Sequence, residues 1–309
     1  MLSLCDGISG GQLALQRLGI KVNKYYASEI KDIAIKTVKY NFPDTIHIGN
    51  VTKVSYSNGI LQTENGNYEI PNIDLVIFGS PCQSFSIANK TKHRIGLEDK
   101  QKSGLFYECY RILNEVQPKY FLMENVASMK NQDKDYISEL LGVQPININS
   151  SLVSPCLRNR YYWTNIPNVT QPVDKKITLQ SILECGYTNR IKGRCLTIQD
   201  SKPNKVPVKM FHRYCTTGFT NLIFESEEHY QKCCDYYNTH YKGKKAIFIP
   251  NYKTDIFDGV RYLTQKELER CQTVPEGYTK CLTRNQAADV LGDGWTIDVI
   301  VHIFKNMKF

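Results

Sequence analysis

The sequence predicts an α/β protein: a doubly wound, mostly parallel sheet with a smaller inserted region. Two observations carry this. Through the first half, short apolar runs alternate with segments whose apolar residues fall at helical spacing. Repeated strand–helix–strand order points to a parallel sheet wrapped by helices. Beyond about residue 170 the alternation stops and basic, polar sequence takes over. With 309 residues, 41% of them hydrophobic, the chain suits one large domain or one domain with a smaller insertion.

The elements follow in order. "MLSLC" reads as a buried strand from which the chain begins directly, and "GGQLALQRLG" as a helix closed by Gly19. "VNKYYASE" is a second strand, and "IKDIAIKTVKYNF" a helix ending before Pro43. "TIHIGNV" gives a third strand and "EIPNIDLVIFGS" carries a fourth. "GLFYECYRILNEV" is helical by its spacing, "KYFLMEN" is a fifth strand and "KDYISELLG" another helix. "INSSLVS" and "RYYWTNI" read as a terminal strand pair. "PNVTQPVDKK" reads as a linker, and residues 170–258 as irregular, with strand-like runs such as "AIFI". "YLTQKELERCQ" and "WTIDVIVHIFKNM" return to amphipathic helices that pack back on the core.

Net charge is +9, which favours an anionic partner without identifying it. Between residues 186 and 253 there are 12 Lys/Arg against 5 Asp/Glu, a balance of +7, and 7 of the 20 tyrosines. Most of the excess charge therefore lies in the insertion. The 11 cysteines are odd in number, show no CxxC pair and form no His/Cys cluster of zinc-ligand spacing. No metal is expected, and a reducing cytoplasm is the expected compartment. No apolar run reaches membrane-span length and no basic leader precedes an apolar segment, so neither membrane insertion nor export is expected.

In an open α/β sheet, ligands bind beyond the carboxyl ends of the strands. After strand one comes "DGISGG" (Asp6–Gly11), whose glycines admit a ligand close to the backbone. It is not GxGxxG, and alone it reads equally as a plain turn. After strand two comes Glu29, placed to accept the hydroxyls of a nucleoside ribose. Cys82 follows strand four, in "GSPCQSFS", and Glu124 follows strand five, in "MENV". If those strands are neighbours, a nucleophilic thiol and a proton-donating carboxyl share one crevice. Singly, Cys82 reads as well as core filler and Glu124 as a salt-bridge partner. "RNRYYW" puts Arg158 and Arg160 on alternate positions of a strand, where they would share a face.

These motifs, in this order, resemble the DNA (cytosine-5)-methyltransferases. "DGISGG", Ser28–Glu29, "GSPCQSFS", "ENV" (Glu124–Val126), "RNRYYW" and "GDGWTIDVIVHIF" (Gly292–Phe304) span nearly the whole chain. "LFYECYRIL" and "RYYWTNIP" are similar to the catalytic domain of the de novo enzymes, in a compact form suited to a bacterium or phage, including restriction–modification systems. The resemblance implies an S-adenosylmethionine-dependent, Rossmann-like fold. It implies Cys82 as the nucleophile on cytosine carbon 6, with Pro81 fixing its approach. Glu124 would meet ring nitrogen 3 and the exocyclic amine; Arg160 would hold the carbonyl oxygen, supported by Arg158. For the cofactor it implies Asp6, Gly7, Ile8 and Gly10 on the methionine side. Glu29 would take the ribose, Ile30, Asn50 and Leu105 the adenine, and Trp295 and Val299 would come from the C-terminal motif.

The resemblance further implies duplex DNA as partner, with the target base flipped out. Residues 1–167 would form the catalytic domain, 168–260 the target-recognition region, and 261–309 a segment returning to the catalytic domain. DNA contacts are expected from Ser84, Ser86, Lys90, Lys92 and Arg94 on a closing loop, and from Arg190, Lys192 and Arg194 in the insertion. A homodimer is compatible with this. Three departures stand out: Asn50 where the family has an aspartate to the adenine amine, Cys156 where it usually has glutamine, and "QTVP" (Gln272–Pro275) for the common "QGFP". The oxygen of Asn50 would still accept that bond, more weakly. Three other readings remain: a cytosine-5 tRNA methyltransferase, a non-catalytic DNA-binding homologue, and a nicotinamide oxidoreductase. "GRCLTI" (Gly193–Ile198) favours the DNA branch, the joint presence of Cys82, Glu124 and Arg160 opposes decay, and the missing dinucleotide fingerprint opposes the last.

Overall fold

A computed structural model describes residues 1–86, 93–246, 249 and 255–308. The chain forms two compact units. One comprises Met1–Ser150, Asn159–Pro172 and Ile297–Phe309, the other Ser151–Arg158 and Val173–Thr296.

The first unit holds β1 (Leu2–Leu4), α1 (Gly10–Arg17), β2 (Tyr26–Ser28), α2 (Asp32–Asn41) and β3 (Ile46–Gly49). It continues with β4 (Ser55–Ser57), β5 (Ile60–Thr63), β6 (Gly66–Glu69), β7 (Leu75–Phe78), α3 (Phe106–Val116), β8 (Tyr120–Val126), α4 (Asn131–Leu141), β9 (Ile146–Asn149) and β10 (Asn159–Thr164). The main sheet has the order β3–β2–β1–β7–β8–β10–β9. Its first five members run parallel, while β10 pairs antiparallel with both β8 and β9. Strands β1, β7 and β8 are buried at every residue, as helices on both faces require. Gly11 lets α1 lie directly on β7: a Cβ there would sit 2.1 Å from Ile77 Cδ1.

Two details differ from the sequence reading. The strand expected in "INSSLVS" lies earlier, at Ile146–Asn149, because Ser150–Leu152 close into a 3₁₀ turn. Residues 55–69 form an unforeseen three-stranded antiparallel sheet, β4–β5–β6. Its first turn, Asn58–Gly59, has both residues at positive φ (51° and 75°), the geometry that Asn-Gly favours in two-residue hairpins. That dipeptide was the available signal. Leu61 is fully buried, and Tyr68 meets Tyr26 edge to face at 5.2 Å, which seats this small sheet on the core.

The second unit is helical where irregular sequence was expected. It contains α5 (Ile198–Ser201), α6 (Pro207–Thr217), α7 (Glu227–His240), α8 (Gln265–Cys271) and α9 (Arg284–Asp293). Pro207 opens α6 and Gly218, at φ 66°, closes it, the usual asymmetry of helix ends. Val208, Phe211, Phe224, Cys233, Tyr237 and Phe257 form its core. Thr264–Glu267 and Thr283–Gln286 cap α8 and α9 reciprocally. Half of the run "AIFI", residues 247 and 248, falls outside the described residues. The expected boundary at 260 falls inside this unit, which extends to Thr296. Arg261 explains the continuity: it holds the buried Glu267 at 2.8 Å and donates to the Cys185 carbonyl. Helix α10 (Ile297–Phe304) belongs to the first unit, tied to α1 by Arg17–Asp298 at 2.6 Å. No described helix is long and apolar enough to cross a membrane, and no metal-binding cluster occurs among the described residues.

Candidate active site

Strands β7 and β8 are parallel neighbours, with Phe78 beside Met123. The loop after β7 and the end of β8 therefore lie at the same edge, which brings Cys82 and Glu124 to adjacent strand ends. Asn125 fixes the loop by donating to the Ser80 carbonyl (3.1 Å) and hydroxyl (3.2 Å). Ser103 Oγ donates to the Pro81 carbonyl at 2.9 Å. The Cys82 carbonyl accepts from Phe85 N–H (3.0 Å) and Ser86 N–H (2.9 Å). Cys82 thus begins a single helical turn and stays half-buried.

Arg160 and Glu124 meet across the antiparallel pair β8–β10. Arg160 lies opposite Val126, and Glu124 two residues earlier shares that face, so the two are diagonal neighbours. Arg160 Nε stands 2.8 Å from Glu124 Oε1, with the side chains only 12% and 9% exposed. Arg158 precedes the strand, so the alternation rule does not apply to it. Its buried guanidinium donates to the Gly292 (3.0 Å) and Asp293 (3.5 Å) carbonyls at the C-terminus of α9, where helix carbonyls lack partners. That placement makes it a helix cap, in correction of the expected pairing with Arg160.

At the β1–β3 end, Gly7 has φ 61° and open space where a Cβ would point. Its N–H donates to Glu29 Oε2 at 2.8 Å, while Glu29 Oε1 takes Ile30 N–H (2.8 Å) and Lys31 N–H (2.9 Å). Burial pushes the Glu29 carboxyl up, against these three donors. Asp6 accepts from Ser9 Oγ and from Tyr25 OH (2.6 Å); burial pushes it up too, against its hydroxyl donors. Ile8 is buried, Gly10 opens α1, and Ile30 is 67% exposed beside Glu29. Asn50 Oδ1 accepts from Thr52 N–H (3.0 Å) and Thr52 Oγ1–H (3.1 Å), which fills both lone pairs. The acceptor expected from Asn50 is therefore already committed within the chain. Leu105 and Thr52 line a cavity of about 460 Å³ with Leu97, Lys100, Gly104 and Tyr107. Val299 is fully buried on α10, and Trp295 lies in the second unit.

Of the expected DNA contacts, Lys90 and Lys92 lie outside the described residues. Ser84 is buried, its hydroxyl on Asp99 at 2.5 Å, and Ser86 is half-buried in the Cys82 turn. Arg94 donates to the Phe85 (3.2 Å) and Ser128 (2.7 Å) carbonyls. Arg190 donates to the Thr220 carbonyl (2.6 Å) and stacks over Tyr214 at 4.3 Å. Lys192 is enclosed by the Ser151 (2.5 Å), Ser154 (3.1 Å) and Ile177 (2.6 Å) carbonyls. These three cations brace the fold. Arg194 differs: its backbone is clasped by Asn221 in both directions and its side chain is exposed. The sequence reading missed Asn125, Ser103 and the β5–β6 turn. The first is inside "ENV"; the second has no sequence signal.

Comparison with known proteins relates the chain to methyltransferases. The family described as C-5 cytosine-specific DNA methylase matches residues 1–142. The type II methyltransferase M1.ScrFI of Lactococcus lactis subsp. cremoris is 28% identical over 99% of the chain and 77% of its own length. The orphan methyltransferase M.SPRI of Bacillus phage SPR is 35% identical over 43% of the chain, but only 28% of its own length is covered. In structure, a Spodoptera frugiperda DNMT2 mutant superposes with a TM-score of 0.65 at 20% identity, covering 99% of this chain and 98% of that one. A methyltransferase encoded in an E. coli prophage gives 0.58 at 19% identity, with 99% and 97% covered. The family match falls on the Cys82–Glu124 half and a type II methyltransferase aligns along the whole chain, so this protein is similar to the C-5 cytosine-specific DNA methylases.

Proposed function

We propose that the protein transfers a methyl group from S-adenosylmethionine to carbon 5 of a cytosine flipped out of duplex DNA. The Arg160–Glu124 pair beside the Cys82 turn is the observation that carries this. Cytosine presents a carbonyl oxygen, ring nitrogen 3 and an exocyclic amine along one edge. A guanidinium suits the first; a protonated carboxyl donates to the second and accepts from the third. Their placement two register steps apart on one sheet face turns both toward a single edge.

The β1–β3 end fits the cofactor. Gly7 leaves its backbone open, Glu29 Oε2 takes a single N–H and so retains a lone pair for a sugar hydroxyl, and exposed Ile30 offers an apolar face to a purine. Bound there, S-adenosylmethionine would supply an electrophilic methyl group. The chain does the rest. Cys82, as thiolate, adds to carbon 6 while Glu124, having taken up a proton as the base binds, passes it to nitrogen 3, which makes carbon 5 nucleophilic. Arg160 holds the carbonyl oxygen as charge develops on the ring. After carbon 5 is methylated, its proton leaves to a base, the sulfur–carbon bond breaks to regenerate the thiolate, and nitrogen 3 returns its proton to Glu124.

The test is a duplex carrying 5-fluorocytosine, whose carbon 5 has no proton to lose. A denaturation-resistant protein–DNA adduct should form with the wild type. It should not form with Cys82→Ala, which retains DNA binding. Absence of adduct while unmodified duplex is methylated would refute the mechanism; an adduct on tRNA instead of duplex DNA would reassign the substrate.

A further inference from the structure

The exits of three strands lie in a row at one side of the sheet, in the order β3–β2–β1. The glycine turn follows β1, Glu29 follows β2, and Gly49–Asn50 ends β3. The exit of the third strand is the next position outward from the acid that would hold a nucleoside's sugar, and so the place where its base would be met. Adenine's exocyclic amine is a donor and needs an acceptor there. Asn50 stands first by position, but both lone pairs of its Oδ1 are taken by Thr52. Its remaining group, the NH₂, is a second donor.

Glu64 reaches the same exit from the turn between β5 and β6. Its Oε1 accepts from Asn50 N–H at 2.6 Å. The carboxylate lies on Gly49, where φ is +77° and a Cβ would stand 2.0 Å from Glu64 Oε1 and 2.7 Å from its Cδ. Only glycine lets it rest there. The next residue, Asn65, donates to the His47 carbonyl at 3.0 Å and clamps the turn onto β3. Ser28 holds the Gly49 carbonyl from the other side at 2.8 Å. Glu64 itself is exposed, and among the described residues its Oε2 accepts no hydrogen bond. The small sheet therefore delivers an acidic acceptor to a strand end whose own side chain offers none.

We propose that Glu64 is a cofactor-binding residue, accepting the exocyclic amine of adenine, and that the three-stranded insertion is thereby part of the cofactor site. This rests on the reading of the β1–β3 end as the S-adenosylmethionine site. It also sets purine selectivity: a carboxylate acceptor favours a 6-amino over a 6-oxo purine.

Calorimetric titration of the full chain with S-adenosylhomocysteine and with its 6-oxo counterpart, S-inosylhomocysteine, tests this. Wild type should prefer the amino compound by about tenfold or more, the worth of one charge-assisted hydrogen bond. Glu64→Gln still accepts from Asn50 N–H through its amide oxygen but turns a donor toward the amine. Its preference should collapse to within about threefold, with affinity for the amino compound down about tenfold. Asn50→Asp in the Glu64→Gln background should restore both, since a carboxylate at position 50 has a second oxygen. If Glu64→Gln binds and discriminates like wild type, the assignment is overturned, even where Glu64→Ala weakens binding, because Glu64 would then only brace the loop. If wild type binds neither compound, the cofactor reading itself fails, and this assignment with it.

Discussion

Glu124→Gln separates chemistry from packing at this site. Glutamine keeps the shape and one oxygen of the side chain but can neither carry the charge that faces Arg160 in the free protein nor take up and pass on a proton once the base is bound. The wild-type carboxylate lies 2.8 Å from Arg160 Nε, both side chains being about nine-tenths buried. A hydrogen bond between charged groups contributes about 1.5–3 kcal/mol and a neutral one about 1. The expected stability loss is therefore about 1–2 kcal/mol, a fall in Tm of a few degrees at this chain length. Turnover should suffer far more, because losing a positioned proton donor costs about 10²–10⁴ in rate, or roughly 3–5 kcal/mol. Single-turnover methylation of a duplex, well below Tm, reads the second effect free of the first. Calorimetric binding of S-adenosylhomocysteine serves as the fold control. Arg160→Gln should cost less stability in the Glu124→Gln background than alone, because no buried charge is then left unpaired. The reasoning is refuted if folded Glu124→Gln turns over within about threefold of wild type, or if its loss only tracks the unfolded fraction.

Three further predictions concern the second unit. Lys192→Met should lower stability by about 2–4 kcal/mol in urea unfolding, because three carbonyls lose their donor, yet leave the salt dependence of DNA binding unchanged. Arg194→Ala should do the reverse: stability holds, and the slope of log K against log salt falls by about one. An equal drop in slope for both variants would remove the distinction. Asp200 is buried on α5, and burial pushes its carboxyl up to about 6 from an ordinary 3.8. The folded state therefore keeps a proton that the unfolded chain releases. Stability should fall as pH rises from about 4 to 6, by at most about 3 kcal/mol, and stay low above. Asp200→Asn should flatten that step in thermal melts taken between pH 4 and 8; an unchanged step would assign it elsewhere.

The parts legible in the sequence were those set by local pattern. Fully apolar runs marked β1, β7 and β8, and "DGISGG", "PCQ" and "ENV" fell at strand ends because parallel sheets place ligand-facing residues there. Alternation misled at Arg158, since face-sharing holds only inside a strand and the strand begins one residue later. The small sheet went unread although Asn58–Gly59 announced its first turn. Helices α6 and α7 were hidden by tyrosine, cysteine and histidine on their buried faces, where Phe211 meets Tyr214, Tyr237 and, from beyond the helices, Phe257.

Long-range polar commitments are what composition hides, and they change what the basic charge means. Arg94 bonds a carbonyl 34 residues away, Lys192 one 41 residues away and Arg158 one 134 residues away. None of these pairings has a periodicity to betray it. Each donates to main-chain carbonyls far along the chain, so each cation is held in the fold by the hydrogen bonds it would forfeit by turning outward. The balance of +7 between residues 186 and 253 therefore overstates the phosphates this segment can neutralise, because Arg190 and Lys192 are among its 12 cations. Counterion release scales with phosphates contacted, at about 0.9 in slope for each. A measured slope should thus count exposed side chains such as Arg194, and fall short of the number that formal charge implies.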